Sequence, residues 1–187
     1  MAFWRSDDRQ YSGFAKLLHW GSALIVIGLF ILGLWMTSLN YYHSWYRTAP
    51  DIHKSVGIAL VLVTFIRLIY RFATRYPAPL PSHSLAVRLA AKAVHIAIYG
   101  LLLVMFVSGY LITTARGEPL VVFGGLVEIP GIISGFANLE DRAGEVHEIA
   151  AYTLVGLAVL HAAAALKHHF IDKDDTLRRM IRVRSKK

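Results

Sequence analysis

The chain has 187 residues, of which 56% are hydrophobic and 17% charged, and its mean hydropathy of +0.48 excludes an ordinary soluble domain of this size. The formal net charge of +8 comes without a nucleic-acid-binding motif, so we attribute it to membrane topology and anionic lipid. The absence of cysteine excludes disulfides, thiolate metal sites, iron–sulfur clusters and cofactors attached covalently through cysteine.

Four segments are long and apolar enough to cross a bilayer, which requires roughly 20 mostly apolar residues. They cover about residues 17–38, 53–72, 93–115 and 145–168. Charged residues inside them, such as Lys54 and Arg67, lie near the span ends, where long side chains reach the membrane interface. We therefore predict an all-α, transmembrane four-helix bundle that forms one domain over residues 1–187, with a basic tail at 169–187.

The distribution of basic residues predicts the orientation of these spans. The N-terminal stretch carries Arg5, Arg9 and Lys16, the 71–92 connection carries four basic residues, and eight follow Leu166. By contrast, the 39–52 connection has Arg47 alone, and the 116–145 connection has two basic against five acidic residues. Because Lys and Arg accumulate in short cytoplasmic segments, both termini are predicted to be cytoplasmic.

The connections contain helix stop and start signals. Between residues 116 and 144, Gly-Glu-Pro at 117–119, Gly124–Gly125 and Pro130–Gly131 interrupt any continuous helix. The apolar residues of this connection predict a segment that lies on the outer face of the bundle. Before the second span, Ala49-Pro50-Asp51 is a start signal in which Asp51 is the candidate N-cap.

Four histidines lie near the ends of the first, second and fourth spans: His19, His53, His147 and His161. Imidazole within lipid is costly unless something binds it. Under the predicted topology, His53 and His147 lie at the outer level and His19 and His161 at the inner level. The 14 residues from His147 to His161 give roughly 21 Å of helix rise and return to within about 40° of the same direction. The sequence therefore predicts two pairs, His53 with His147 and His19 with His161.

The neighbours of the fourth-span histidines favour a flat cofactor. Seven of the eight residues three or four positions from His147 and His161 are Ala or Gly: Ala143, Gly144, Ala150, Ala151, Leu157, Ala158, Ala164 and Ala165. Zinc prefers four ligands clustered together, whereas these pairs are predicted to be far apart. We expect two non-covalent haem b groups (iron protoporphyrin IX), each between two imidazoles, an arrangement that favours electron transfer. The alternative is a haem-free transporter or scaffold in which the histidines form hydrogen bonds between helices.

An ordered set of motifs resembles the bacterial cytochrome b561 family over nearly the whole chain. The motifs are Leu-His19-Trp20, Ile-His53-Lys-Ser-Val-Gly57, Val-His147-Glu, and His161-Ala-Ala-Ala-Ala-Leu-Lys-His168-His169-Phe followed by Lys173-Asp-Asp-Thr-Leu-Arg-Arg-Met180. The resemblance implies a four-helix inner-membrane cytochrome with two b haems, ligated at His19 with His161 and at His53 with His147. Characterised relatives include a superoxide oxidase that passes electrons from periplasmic superoxide to ubiquinone, and the wider superfamily includes haem subunits of hydrogenases and formate dehydrogenases.

This resemblance implies electron transfer between the periplasmic side and the quinone pool, as a superoxide oxidase-like enzyme. The alternative is a haem-bearing relay subunit for a separate redox partner, such as a periplasmic redox protein. The candidates for quinone contact or proton delivery are His168, His169, Lys16 and His95. The candidates for attracting an anion at the outer side are Lys54, Arg47 and Arg116, although the connection at 116–145 is net acidic. For both sets the alternative is an ordinary role at the membrane interface.

Overall fold

The structure is a computed structural model, and it describes residues 3, 4, 6 and 10–182. Helix α1 covers Gly13–Thr37, α2 covers Thr48–Ala73, α3 covers Leu85–Thr114 and α4 covers Leu139–Phe170. Strands β1 (Leu120–Val122) and β2 (Val127–Ile129) lie between α3 and α4, and the short helix α5 (Arg178–Ile181) follows α4. Arg5, Arg9 and the last five residues of the basic tail, 183–187, lie outside the described residues.

Each of the four long helices can cross a membrane. They contain 25, 26, 30 and 32 residues, and the mean hydropathy of their most apolar stretches is 2.0 to 2.2, whereas roughly 20 apolar residues suffice to span the hydrocarbon layer. Large apolar side chains on them are exposed, among them Leu24, Phe65 and Leu103, because lipid rather than protein covers them. The predicted all-α, multi-pass transmembrane fold is confirmed.

The helices begin earlier than the predicted spans. Helix α3 begins at Leu85 rather than near residue 93, because hydropathy detects only the lipid-covered part of a helix that continues into polar surroundings. The prediction of Asp51 as an N-cap is wrong, since α2 begins at Thr48 and Asp51 lies in its first turn. There its carboxylate complements the helix dipole and pairs with Lys54 Nζ at 2.8 Å. Pro50 fits beside it because the first-turn N–H groups have no acceptor within the helix.

Two compact units make up the chain. The terminal unit contains Met1–Leu24, Leu62–Ala97 and Leu157–Lys187, and the hairpin unit contains Ile25–Val61 and Ile98–Gly156. Each unit includes a section of all four long helices, so each has its own packing between helices.

Leucines from three helices form the buried core of the hairpin unit. Leu60 of α2, Leu102 of α3 and Leu154 of α4 contact one another. Further apolar side chains from α1 and α3 pack around them: Ile25, Val26, Leu29, Ile98, Tyr99, Leu101, Met105 and Phe106. In lipid such packing rests on close van der Waals contact between helices. It therefore determines which faces of α2 and α4 turn inward.

The segment between α3 and α4 forms a β-hairpin that the sequence analysis did not predict. Strands β1 and β2 pair antiparallel, with Leu120 opposite Ile129 and Val122 opposite Val127. Leu120 and Val122 are buried, whereas Val121 between them is exposed, as the alternation of a strand requires. The turn at Phe123–Gly125 has φ values of 55°, 68° and 92°, and the last two belong to Gly124 and Gly125, which adopt this conformation without strain.

Contacts of the chain ends organise the terminal unit. The Tyr70 hydroxyl donates to the carbonyl of Trp4 at 2.7 Å. The Trp20 indole Nε1 donates to the carbonyl of Met180 at 3.1 Å, and Lys16 Nζ donates to the carbonyl of Arg182. The segment that contains α5 is therefore held against the beginning of α1.

Candidate functional site

The hairpin unit brings His53 and His147 together. Their ring centroids are 6.3 Å apart, and the ring planes meet at 67°. Ser108 Oγ lies 3.0 Å from His147 Nδ1. His53 Nδ1 is buried and has no hydrogen-bond partner among the described residues.

Two glycines on the neighbouring helices make room for these rings. A Cβ atom added at Gly33 of α1 would lie 3.4 Å from His53 Cε1, and one added at Gly109 of α3 would lie 3.1 Å from His147 Cε1. A Cβ atom at Gly109 would therefore require the His147 ring to shift by a few tenths of an ångström, and a branched side chain there would require more. Neither glycine was predicted from the sequence, because both are distant in sequence from the histidines they contact.

A cavity of about 850 Å³ adjoins this pair and is lined by residues from all four long helices. Its volume is within the range of about 300–1,000 Å³ that is typical of cofactor pockets. Gly57, Gly144 and Ala151, small residues near His53 and His147 in sequence, line it as expected for a flat ligand. The apolar wall and the small residues are suited to a planar cofactor.

Both cationic and anionic side chains line the same cavity. Lys54 Nζ pairs with Asp51, and Arg116 Nε donates to Glu140 Oε2 at 3.0 Å. The predicted trio of cations is thus only partly brought together, since Arg47 is exposed and does not line this cavity. The lining also contains three carboxylates, Glu118, Glu140 and Glu148, against two cations.

The terminal unit brings His19 and His161 together with the same separation. Their ring centroids are 6.3 Å apart and their planes meet at 70°. Arg67 Nη2 lies 2.8 Å from His19 Nδ1, and the ring centroid of His95 lies 5.2 Å from that of His161. Arg67 was predicted to reach the membrane interface, whereas in the structure its guanidinium contacts the candidate ligand His19.

The two pairs fit an ion with two opposed imidazole ligands. Metal–nitrogen bonds of about 2 Å to opposed imidazoles place the ring centroids about 6 Å apart. Both pairs have 6.3 Å, a separation too wide for a direct hydrogen bond between the rings. The residues present therefore fit iron held between two histidines in each unit.

The four candidates for quinone contact lie in different local surroundings. His95 is beside His161, while Lys16 is buried and bonded to the Arg182 carbonyl. His168 Nδ1 lies 2.8 Å from Asp172 Oδ2, and His169 Nδ1 is buried without a hydrogen-bond partner in the described part of the chain. The four candidates therefore do not share one set of contacts.

One histidine that the sequence analysis missed belongs to the surroundings of His168. His83 Nε2 lies 2.9 Å from Asp174 Oδ2, to which His168 Nδ1 is also close, at 3.1 Å. Burial raises the pKa of Asp174, but hydrogen bonds from Thr176 and His83 outweigh it and lower that pKa to about 2. No local motif marks His83, which follows a proline-rich turn between α2 and α3.

Comparison with known proteins identifies the family. The model of the prokaryotic cytochrome b561 family matches residues 10–182. The chain is 48% identical to cytochrome b561 homolog 2 of Escherichia coli (strain K12) over 97% of its own length and 95% of that protein. It is 30% identical to a probable superoxide oxidase CybB of Yersinia pestis over 92% of its length and 96% of that protein. It is 28% identical to cytochrome b561 homolog 1 of E. coli (strain K12), over 74% and 77%.

The chain therefore belongs to the prokaryotic cytochrome b561 family, a family of membrane electron-transfer proteins with b-type haem.

Proposed function

We propose that the protein holds two b haems, one between His53 and His147 and one between His19 and His161. The observation that carries the proposal is the common 6.3 Å separation of the two ring pairs. A haem with two histidine ligands supplies one-electron transfer without an open coordination position for oxygen chemistry. The role of these four residues is to hold the cofactors and to exclude other ligands.

The proposed path of electrons runs from the periplasmic side to the quinone pool of the inner membrane. The charge distribution supports the orientation on which this path depends, because the N-terminal stretch, the 71–92 connection and the tail are basic, while the 116–145 connection is acidic. This distribution favours cytoplasmic termini and a periplasmic β-hairpin, with His53 and His147 near the donor.

Superoxide is the donor that we propose. The name of the Y. pestis relative supports it, and so does the position of Lys54 and Arg116 in the cavity lining beside His53. Their role would be to attract an anion, a rate effect that depends on the local sign of charge. Glu118, Glu140 and Glu148 oppose that attraction, so the contribution of Lys54 is the decisive quantity to measure.

Ubiquinone is the acceptor that we propose, with contacts in the terminal unit. His95 is the candidate that lies nearest the proposed haem ligands, because its ring centroid is 5.2 Å from that of His161. Lys16, His168 and His169 are the other candidate donors to a quinone carbonyl or carriers of its protons. If His168→Ala leaves quinone reduction unchanged in reconstituted vesicles, that residue has no such role.

The experiment that tests this proposal is a measurement of haem content together with turnover. The purified chain should contain two b haems and should consume superoxide with stoichiometric reduction of ubiquinone. Two haems without quinone-linked turnover would instead indicate a relay subunit that needs a separate redox partner. A fully folded chain without haem would contradict the proposal and favour a transporter or scaffold.

A further inference from the structure

Three residues from separate segments of the terminal unit meet outside the proposed haem sites. His83 lies between α2 and α3, His168 in the last turn of α4, and Asp174 before α5. His83 Nε2 is 2.9 Å and His168 Nδ1 is 3.1 Å from the same carboxylate oxygen, Asp174 Oδ2. The three candidate ligand atoms all lie within 4.8 Å of one another.

The carboxylate between the two imidazoles is held in place by the backbone. The N–H of Thr176 donates to Asp174 Oδ1 at 2.8 Å, which leaves Oδ2 to face both histidines. The side chains of His83, His168 and Asp174 are largely shielded, with exposed fractions of 16%, 16% and 11%. Such orientation by a second layer of hydrogen bonds is typical of metal ligands.

We infer that His83, His168 and Asp174 form a binding site for a divalent transition-metal ion, of which Zn²⁺ is the best match. Two imidazole nitrogens and one carboxylate oxygen suit Zn²⁺, whereas Mg²⁺ and Ca²⁺ prefer oxygen ligands alone. Ligands of a tetrahedral ion with bonds of about 2.0 Å lie roughly 3.3 Å apart. The observed distances of 2.9 Å and 3.1 Å are close to that value.

A neighbouring carboxylate offers the fourth ligand. Asp172 Oδ2 is 2.8 Å from His168 Nδ1, and Lys167 Nζ donates to both oxygens of Asp172 at 2.7 Å and 2.9 Å. Because both oxygens of Asp172 accept hydrogen bonds from Lys167, we expect Asp172 to bind a metal ion more weakly than Asp174 does. A bound ion would join the loop after α2 and the segment before α5 to the end of α4.

The competing explanation is a network of hydrogen bonds and ion pairs with no metal. His83 Nε2 is hydrogen-bonded to the Asp174 carboxylate, whereas His168 Nδ1 lies 3.1 Å from it without a hydrogen bond of good geometry among the described residues. Such contacts would also attach the segment before α5. The two explanations differ in one respect only, since the network binds no ion. The inference does not rest on the proposed electron donor or acceptor.

Zn²⁺ binding to the full-length, haem-containing protein in detergent tests the inference. The protein is purified through a tag without histidine and dialysed against Zn²⁺, and bound zinc is counted per chain by mass spectrometry. We expect one Zn²⁺ per chain, and a loss of affinity of at least tenfold in His83→Ala, His168→Ala and Asp174→Asn. His43→Ala removes an exposed histidine elsewhere and should leave binding unchanged.

Zinc X-ray absorption of the unaltered chain provides a readout that needs no variant. It should show two imidazole ligands per bound ion, with bonds of about 2.0 Å. Asp174→Asn keeps the shape of the side chain, so it tests the site even if a histidine variant fails to fold. Failure of the chain to bind stoichiometric zinc, or equal binding by Asp174→Asn, would show that the cluster is an ion-pair network.

Discussion

The hairpin unit and the terminal unit bring their histidines to the same separation but surround them with different chemistry. In the hairpin unit, His147 contacts the hydroxyl of Ser108 and His53 Nδ1 has no hydrogen-bond partner among the described residues. In the terminal unit, His19 contacts the guanidinium of Arg67, and a third imidazole lies beside His161. The spacing of the candidate ligands is therefore common to both sites, whereas the charge around them is not.

The two partners also demand opposite proton positions on the rings. The Ser108 hydroxyl donates to the Val104 carbonyl at 2.7 Å, so its lone pairs accept from a proton on His147 Nδ1. That arrangement leaves His147 Nε2 free to bind iron. A guanidinium can only donate, so His19 Nδ1 must accept from Arg67 and its proton is on Nε2. Ligation through His19 Nε2 therefore requires Arg67 to move away from Nδ1.

Removal of one candidate ligand from each pair has the largest expected effect and tests whether the two sites act separately. We expect His147→Ala and His161→Ala each to retain one of two haems, because each abolishes one pair and leaves the other intact. Pyridine haemochromogen absorbance per mole of protein measures the content, and His43→Ala is the control. Loss of both haems from either single variant would show that the sites depend on each other.

Gly109→Val tests whether haem binding depends on the space beside the His147 ring as well as on the ring itself. The Cβ atom would already lie 3.1 Å from His147 Cε1, so the branched side chain should displace that ring and lower haem affinity in the hairpin unit by roughly tenfold or more. Gly100→Val is the matched control on the same helix, since its Cβ meets no described atom within 4 Å. Both variants carry the same β-branched cost in a helix. The rate of haem transfer to apomyoglobin measures the haem affinity of each variant. An equal loss of affinity in Gly109→Val and Gly100→Val would show that crowding of the His147 ring is not the cause.

Lys54→Glu tests whether the charge at the cavity of the hairpin unit matters for an anionic donor. Reversing this charge beside Asp51 and Glu118 should slow reduction by superoxide by about tenfold and slow reduction by a neutral quinol little, with a smaller difference at high salt. Stopped-flow absorbance of the haem measures both rates. Arg47→Glu makes the same change at an exposed residue outside the cavity lining. An equal effect on both donors would exclude electrostatic attraction by Lys54.

Much of the fold follows from the sequence because lipid imposes a simple constraint. Backbone groups in hydrocarbon must be satisfied within the segment, so four long apolar stretches imply four helices. The helix beginnings at Leu85 and Leu139 were predicted less well, because polar residues outside the lipid carry no hydropathy signal. The β-hairpin between Leu120 and Ile129 was missed, since its strands are only three residues long and lack an extended alternating pattern.

The parts of the candidate site that involve neighbours within one helix could be predicted from the sequence, whereas contacts between two helices could not. His147 and His161 lie among small residues three and four positions away, a pattern that periodicity reveals. The contacts of Gly109 with His147 and of Arg67 with His19 join separate helices, and a single sequence has no signal for them. The cluster around Asp174 was missed for the same reason, because His83 is 91 positions away from it.

Arg67→Gln tests the charge difference between the two sites. A positive charge destabilises the oxidised haem relative to the reduced one, so its removal should lower the reduction potential in the terminal unit by about 50 mV. The potential in the hairpin unit should not change. Arg71→Gln removes the same charge one turn further along α2, where Arg71 packs over the Tyr76 ring at 4.9 Å. Redox titration followed by absorbance measures both potentials, and an equal shift in the two variants would show that Arg67 has no specific role.

Ser108→Ala should give the smallest shift, because it removes a neutral hydrogen bond and no charge. Without the Ser108 oxygen, the His147 ring loses one acceptor and keeps its hydrogen bond to the Met105 backbone. The ring becomes a slightly weaker electron donor to iron, and the potential in the hairpin unit should rise by about 20 mV. Thr113→Ala also removes a hydroxyl from α3, one that lines the cavity beside His53 and His147, but this hydroxyl bonds to the Gly109 carbonyl, so no shift is expected. A shift in Ser108→Ala as large as that in Arg67→Gln would mean that hydrogen bonding to the ligand, rather than net charge, distinguishes the two sites.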